Sequence, residues 1–297
     1  MTNYLHKVLP PQYSHVNKVY CLLAATVFCA LPLCSTEAAA ENILKYDGTT
    51  NIHGNAKTWA AKNEYDGIDI RVTGVDGGYY TDTTEALVLN NQTLNVKGKG
   101  KFVSIINTAQ NKQIDNNGGI YAKGGSTVNF TDVDSIYIAA IAGKEGGNDS
   151  TVISAKDPGR DLKGYTNIVN ISGTTVQLIG SIDVMHSLGS VFFNRNARHT
   201  VNAALSGSDS FWYGSAIGET DERTTVNLSL ADGATWIFNA GKSTLNAGGI
   251  IRNLKLDKGV VLFADAEVWE TYRKTVIKGT DYVLANYRDH NLSLIHI

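Results

Sequence analysis

Side chains suited to acid–base or metal chemistry are sparse along this chain. Beyond residue 40 the histidines are His53, His186, His199, His290 and His296, and none belongs to an H-E-x-x-H pair or to another spacing typical of metal ligands. No G-x-S-x-G segment marks a nucleophilic serine, and no glycine-rich loop follows a strand and opens a helix to bind phosphate. The sequence therefore predicts no catalytic, cofactor-binding or metal-binding residue.

Two short segments carry weaker signals for chemistry. Gly207-Ser208-Asp209-Ser210 has a distant likeness to the serine region of surface proteases, but this combination of residues is more typical of a turn. Asp132 and Asp134 flank Val133 and offer carboxylate oxygens of the kind that Ca²⁺ binds. The glycine-rich aspartate nonapeptide of calcium-binding β-rolls is absent. We therefore expect both carboxylates to be solvated.

The charge balance gives no indication of a charged partner. The chain is 18% charged, against about 25% in an ordinary globular protein, and its net charge is -2. Electrostatics therefore favours neither nucleic acid nor an anionic membrane surface as partner. Arg195, Arg198 and His199 form the only compact basic group in the sequence. No acidic residue repeats beside it, as a polysaccharide-cleaving groove would require.

A strand-like phrase recurs after residue 90 and indicates the elements that must position these side chains. It is centred on a β-branched residue or leucine, ends in asparagine, and precedes alternating apolar residues and a turn-forming cluster. The interval varies from 19 residues (Asn227 to Asn246) to 41 (Asn129 to Asn170), close to the roughly 20 to 50 residues of repeat architectures. The copies are Thr93-Leu94-Asn95, Thr127-Val128-Asn129, Ile168-Val169-Asn170, Thr200-Val201-Asn202, Thr225-Val226-Asn227 and Thr244-Leu245-Asn246.

Apolar residues alternate with polar ones along much of the chain, which predicts strands with one inward face. Residues 41–90 are the least regular and predict a cap with short strands at 68–72 and 86–89. Residues 143–165 predict a surface loop inserted between two repeats. Residues 267–275 predict either a short helix or a bulged strand. The expected inward residues are Val128, Phe130, Ile136, Ile138, Val169, Ile171, Val176, Leu178, Ile182 and Val184.

Three all-β architectures fit short strands at this frequency: a sandwich, a barrel and a parallel solenoid. The first two favour two-residue hairpin links, for which Asp232-Gly233 is a candidate. Repetition of one phrase instead favours equivalent strands stacked in register, as in a parallel β-helix. In that arrangement the asparagines would form a ladder of amide hydrogen bonds. A simple preference of asparagine for turns explains the residue equally well.

The first forty residues predict a secretory signal peptide. Lys7 and Lys18 precede an apolar run from Val19 to Leu33, and Ala38 and Ala40 occupy the small positions of an A-x-A cleavage site. An uncleaved anchor is the alternative, but the run is shorter than the roughly 20 residues that span a bilayer. Lipidation at a cysteine is weaker still, because a large leucine precedes Cys34. Since all three cysteines lie in this segment, the mature chain, in which we expect no transmembrane helix, would contain no disulfide.

Four segments between residues 233 and 263 follow one another in a distinctive order: Gly233-Ala234-Thr235-Trp236, Ser243-Thr244-Leu245, Asn253-Leu254-Lys255-Leu256 and Gly259-Val260-Val261-Leu262-Phe263. In this order they resemble the passenger of bacterial autotransporters. That family shows a Gly-Ala-x-Trp phrase, a Ser-x-Leu step, an Asn-Leu-x-Leu strand and a Gly-x-Val-x-Phe strand in this order. The resemblance implies a right-handed parallel β-helix that is exported through a C-terminal outer-membrane β-barrel of the same full-length chain and displayed at the cell surface.

The sequence thus divides into a signal peptide (1–40), a cap (41–90), β-helix passenger coils (91–291) and a terminal segment (292–297). Residues 292–297 match the translation of a transposon-end adapter used in sequencing libraries, which predicts a non-native tail on an N-terminal fragment without its β-barrel. A natural terminus with a chance match is the alternative. The nucleotide sequence decides between them, because different synonymous codons would exclude the adapter.

The sequence favours a structural or adhesive role over catalysis. We expect an exported protein at the outer membrane and cell surface, or secreted, that binds a protein or glycan ligand of a host or neighbouring cell. The alternative is a secreted β-helix enzyme, a lyase or glycosidase that acts on polysaccharide. No enzyme activity is expected, because acidic and basic groups do not cluster at the spacing of successive repeats.

Overall fold

The computed structural model describes residues 42–48, 52–54, 64–73, 85–108, 118–141, 151–156, 164–184, 197–218, 223–238, 251–263 and 294–296. All of them belong to one compact unit, Glu41–Ile297. The signal peptide and cleavage site predicted at 1–40, the helix or bulged strand predicted at 267–275, and half of the terminal segment 292–297 lie outside the described residues.

The described residues form nineteen β-strands and no helix, so the prediction of an all-β chain is confirmed. Consequently they contain no helix long and apolar enough to cross a membrane. In chain order the strands are β1 (Ile43–Gly48), β2 (Ile52–Gly54), β3 (Gly67–Thr73), β4 (Glu85–Asn90), β5 (Thr93–Lys97), β6 (Phe102–Thr108), β7 (Gly118–Lys123), β8 (Thr127–Ile141), β9 (Thr151–Ala155), β10 (Thr166–Ile179), β11 (Ser181–Asp183), β12 (Arg198–Ser206), β13 (Phe211–Gly214), β14 (Ala216–Ile217), β15 (Thr224–Ala231), β16 (Thr235–Phe238), β17 (Asn253–Asp257), β18 (Val260–Phe263) and β19 (Leu294–His296).

Parallel pairing arranges these strands in three stacks. The first stack contains β5, the first part of β8, the first part of β10, β12, β15 and β17. The second stack contains β1, β3, β6, the remainders of β8 and β10, β13, β16 and β18. The third stack contains β2, β4, β7, β9, β11 and β14. From β5 to β16 the chain visits the first, second and third stacks in that order on every pass.

The end of the second stack differs from the rest, because β19 pairs antiparallel with β18. Among the described strand pairs all others are parallel. β1 to β4, from the segment predicted as a cap, join the second and third stacks through the same parallel pairing as later strands.

Alternating side chains explain why the three stacks share one core. In the first stack Val128 and Phe130 point inward and are fully buried, whereas Asn129 between them is half-buried on the outward face. Every residue that the alternation predicted to face inward is buried and at most 2% exposed. Burial of these aliphatic side chains from all three stacks supplies the main favourable term for folding.

Aromatic side chains from adjacent strands of the second stack also stack on one another inside the core. Trp212 and Trp236 are register partners, and their rings stack nearly parallel, with centroids 5.1 Å apart and an interplanar angle of 7°. Phe238 meets the Trp236 ring edge-on at 5.4 Å. Each indole N–H donates to a carbonyl oxygen of a glycine, Gly180 for Trp212 at 2.9 Å and Gly214 for Trp236 at 3.0 Å. The two tryptophans are thus both buried and hydrogen-bonded.

One candidate hairpin and one predicted loop differ from the structure. Asp232-Gly233 is not a hairpin link: it forms a corner between β15 and β16, which pair with separate neighbours in the first and second stacks. Both residues have positive φ, 52° and 89°, which suits aspartate and glycine. The loop predicted at 143–165 contains strand β9, which pairs with β7 and β11 in the third stack.

Candidate binding surface

A continuous ladder of asparagine side chains runs along the outward face of the first stack. Parallel register places one asparagine above another in six successive strands. From Asn129 onward, each Nδ2 donates a hydrogen bond to the Oδ1 of the asparagine one pass earlier in the chain, over 2.9, 2.8, 2.7, 2.7 and 2.6 Å. We call this set the amide ladder: Asn95, Asn129, Asn170, Asn202, Asn227 and Asn253.

Strand pairing dictates the ladder, since asparagine occupies the same register position in each strand. Strands in a sheet lie about 4.8 Å apart, a separation that one amide-to-amide hydrogen bond can bridge. All five bonds point towards the N-terminal end of the stack, so the amide dipoles align and reinforce one another. The hydrogen-bonding explanation for asparagine is therefore confirmed at five of the six predicted positions.

The sixth rung differs from the sequence-based expectation. Asn246, which ends the last predicted phrase, lies outside the described residues. The final rung of the described ladder is instead Asn253 of β17, which pairs with Asn227. At the opposite end, Glu64 forms an isolated parallel bridge with Asn95.

A column of hydroxyl groups flanks the amide ladder. Thr93, Thr127, Ile168, Thr200 and Thr225 are successive register partners two residues before the ladder asparagines. We call the four threonines of this set the hydroxyl column. The side-chain hydroxyls of Thr127, Thr200 and Thr225 make no hydrogen bond to other described residues, and these side chains are half-buried. They present donors and acceptors to solvent or to a ligand.

The chemistry of this face is that of neutral hydrogen bonding. The charged side chains on the outward face of the described first-stack strands stand at its margins: Lys97 on β5, Arg198 at the start of β12, and Lys255 and Asp257 on β17, all of them exposed. Amides and hydroxyls between them do not titrate near neutral pH, so this face is unsuited to acid–base catalysis. Its regular hydroxyls and amides are suited to binding an extended polar surface.

The serine-containing segment 207–210 forms a turn, in which Ser210 N–H donates to the carbonyl oxygen of Gly207 at 3.0 Å. The Ser210 hydroxyl donates to the carbonyl oxygen of Ser206 at 2.6 Å and accepts from Val176 N–H at 3.0 Å. Ser210 is 0% exposed. With both hydrogen-bonding roles engaged in the interior, this hydroxyl cannot reach a substrate.

The aspartates considered for Ca²⁺ are both exposed and serve the corner between the first and second stacks. Asp132 has a positive φ of 59°, a turn conformation that aspartate tolerates. The Asp134 carboxylate accepts a hydrogen bond from the Gly100 N–H at 3.1 Å. Within the described part of the chain, no group of three or more His, Cys, Asp or Glu residues is arranged to hold a metal ion.

The basic group proposed around His199 is not one surface cluster. Arg198 is exposed, but His199 is 0% exposed and points inward, while Arg195 lies outside the described residues. The error arises because successive side chains of a strand point to opposite faces. His199 lies on the same inward face of β12 as Val201 and Ala203, whereas Arg198 lies on the outward face. His199 instead belongs to a buried line of polar side chains, the polar column, which consists of Ser126, Asn167, His199 and Thr224.

Other chemistry-bearing side chains are engaged in pairs. The Lys156 ammonium lies 2.5 Å from the Asp183 carboxylate, which is only 8% exposed. The ion pair satisfies a carboxylate that is largely removed from water, where a charge without a partner would be costly. Tyr137 is half-buried on the second stack, and burial raises the pKa of its phenol, which therefore stays neutral at physiological pH.

Comparisons with known proteins add no assignment. No protein-family model, curated protein or solved structure matches this chain significantly.

Proposed function

We propose that this chain is a passenger of the autotransporter type, built as a right-handed parallel β-helix. Three parallel stacks visited in a fixed order support the β-helix, because a chain that returns to the same stacks must wind around a shared core. Right-handedness follows from the strong preference for right-handed crossovers between parallel strands. The family assignment rests on the sequence resemblance around Trp236 of β16 and Asn253 of β17, which lie in successive passes of the chain.

The proposal includes export. Residues 1–40 would act as the signal peptide, with cleavage after Ala40, and the passenger would be displayed at the outer membrane and cell surface or secreted. The outer-membrane barrel would belong to the complete gene. Sequencing that gene tests this directly: a β-barrel series downstream supports the proposal, and a natural stop after residue 297 contradicts it. The same read tests whether residues 292–297 carry the adapter codons.

The role that we propose is structural and adhesive, with a protein or glycan of a host or neighbouring cell as ligand. The amide ladder and the hydroxyl column carry this proposal, because they form a neutral, regular face with unengaged hydroxyls. The ladder fixes the amides in place, so a ligand would meet a pre-organised surface and binding would cost little side-chain entropy.

An array of glycans and matrix proteins, probed with the purified chain, tests this role. Thr200→Glu with Thr225→Glu places two charges in the hydroxyl column and should abolish retention. Thr175→Glu with Thr235→Glu makes the matched change on the outward face of the second stack and should leave retention intact. Equal loss in both variants would contradict the assignment to the first stack.

A polysaccharide-degradation screen on the same preparation tests the alternative of a lyase or glycosidase. We expect no turnover. Release of reducing ends or unsaturated products, with no retention on the array, would replace the adhesive proposal by the enzymatic one.

A further inference from the structure

The polar column lies at the corner where the chain passes from the third stack into the first. Ser126, Asn167 and His199 are each 0% exposed, and Thr224 is 2% exposed. Asn167, His199 and Thr224 are register partners in β10, β12 and β15. This column therefore places a buried polar side chain in each of four successive passes of the chain.

The orientation of the Asn167 amide is fixed by two backbone donors. Its Oδ1 accepts hydrogen bonds from the N–H groups of Gly125 and Ser126, both over 2.9 Å. A flipped amide would turn its NH₂ group towards these two donors and lose both bonds. The amide nitrogen of Asn167 must therefore face the other way, where it lies 3.1 Å from Nδ1 of His199.

This orientation determines the protonation state of His199. An amide NH₂ is only a donor, so Nδ1 must accept and can carry no proton. The proton of the imidazole then resides on Nε2, and the ring is neutral. A second proton could enter only at Nδ1, where its N–H would oppose the N–H of Asn167.

We propose that the Asn167–His199 pair is an acid-sensitive latch between successive passes of the chain. Protonation would cost the Asn167 hydrogen bond or the two bonds that hold its amide, and would place a charge at a site with no exposure to water. The described strands that begin or end at this corner, with the residues directly beside them, carry the following charged residues, of which Asp183 is paired with Lys156: Lys123, Lys156, Asp183, Arg198, Arg223 and Arg252.

The direction of the pH effect follows from proton binding. The unfolded chain holds His199 as an ordinary histidine, with a pKa of about 6.5, whereas the folded chain resists the proton. Because the unfolded state binds more protons, acid favours opening, and the stability is lost as pH falls below about 6.5. If His199 stays neutral in the folded chain, the ratio of unfolded to folded chain rises about thirty-fold when the pH falls from 7.5 to 5.

Chemical denaturation of the full chain across pH 5 to 7.5 tests the latch, with His199→Gln as the main variant. Glutamine offers an oxygen to Asn167 but cannot titrate, so the thirty-fold acid effect should largely disappear. His53→Gln, a histidine in β2, is the matched control and should retain the acid effect of the unmodified chain. An acid effect that survives in His199→Gln, or disappears in His53→Gln alone, overturns the proposal.

Asn167→Asp provides a test of opposite sign. Its carboxylate would accept from Gly125 and Ser126 as the amide does, but it would also stabilise a protonated Nδ1. The acid effect should vanish or reverse in this variant. Nitrogen-15 shifts of the His199 ring supply a readout that does not depend on stability: in the unmodified folded chain at pH 7 we expect an unprotonated Nδ1 and a protonated Nε2. A protonated Nδ1, or titration of the folded ring near pH 6.5, overturns the latch.

Discussion

Asn170 is the residue whose replacement should reveal what the amide ladder contributes to stability. It donates to Asn129 and accepts from Asn202, so Asn170→Ala removes two side-chain hydrogen bonds at once. With about 0.5–1.5 kcal/mol for each bond, we expect a loss of about 1–3 kcal/mol in the free energy of unfolding. Asn253→Ala removes one bond at the end of the ladder and should cost about half as much. Denaturant midpoints for the two variants measure the difference.

Ser229→Ala is the control for this experiment. Ser229 is half-buried on the outward face of β15, two residues after the ladder asparagine, and makes no hydrogen bond through its side chain to other described residues. Its replacement should change stability by less than about 0.5 kcal/mol. If Asn170→Ala costs no more than Ser229→Ala, the ladder contributes nothing measurable.

For single residues, the sequence predicted which side chains face inward and which asparagines stack. It did not predict the hydrogen-bond partner of His199. Alternation around Val128 and Val169 gave the inward face, and repetition of the phrase gave the stacked asparagines. His199 was grouped with nearby arginines because proximity in sequence ignores the alternation of a strand. Reading it in phase with Val201 would have placed it inside. Its hydrogen bond to Asn167, 32 residues away, depends on a register that only the folded chain defines.

At the scale of strands, Gly214 of β13 lies closely against the backbone of the preceding pass. A Cβ at this position would lie 2.1 Å from the carbonyl oxygen of Gly180 and 2.6 Å from its carbonyl carbon. These are backbone atoms, so they cannot rotate away as a side chain can. Gly214→Ala should therefore push the strands apart, break the bond from the Trp212 indole to Gly180, and cost more than about 3 kcal/mol.

Gly207→Ala is the matched control, because Gly207 lies in the turn between β12 and β13, where an added Cβ has space. Its new Cβ would meet nothing closer than the Thr174 carbonyl oxygen at 3.9 Å, and its cost arises only from the positive φ of 85°. We expect a loss of about 1–2 kcal/mol. Thermal unfolding with tryptophan fluorescence measures both variants. A cost for Gly214→Ala equal to that for Gly207→Ala would contradict the close-approach argument.

Element boundaries show where local signals failed. Strand β9 was missed because Gly, Asn, Asp and Pro on both sides gave strong turn signals around only five strand residues, Thr151–Ala155. What holds β9 in place is pairing with β7 and β11 on its two sides, which is information from distant parts of the chain. The corner at Asp232-Gly233 was ambiguous for a related reason: the dipeptide fits a hairpin or a corner, and the partners of β15 and β16 decide.

At the scale of the whole molecule, stability should be graded along the stacks. A strand in the middle of a stack is paired on both sides, as β8 and β10 are, whereas β1 and β17 each pair with one described neighbour. In repeat architectures each unit is stabilised mainly by its neighbours, so units with one neighbour open at lower free energy. We expect backbone amides of β8 and β10 to exchange with solvent deuterium more slowly than those of β1 and β17. Hydrogen-exchange mass spectrometry on this chain measures the gradient.

The same experiment with Asn170→Ala tests whether the graded stability is transmitted through the amide ladder. Asn170 of β10 is hydrogen-bonded to Asn129 of β8 and to Asn202 of β12. Its loss should therefore speed amide exchange in these three strands of the first stack. Strands of the third stack, such as β4, meet no ladder residue and should keep their protection, provided that the core stays packed. Uniform acceleration across all three stacks would mean that the chain opens as one cooperative unit, and the graded picture would be wrong. Acceleration confined to β10 would mean that each rung acts alone and that aligned amides do not reinforce one another.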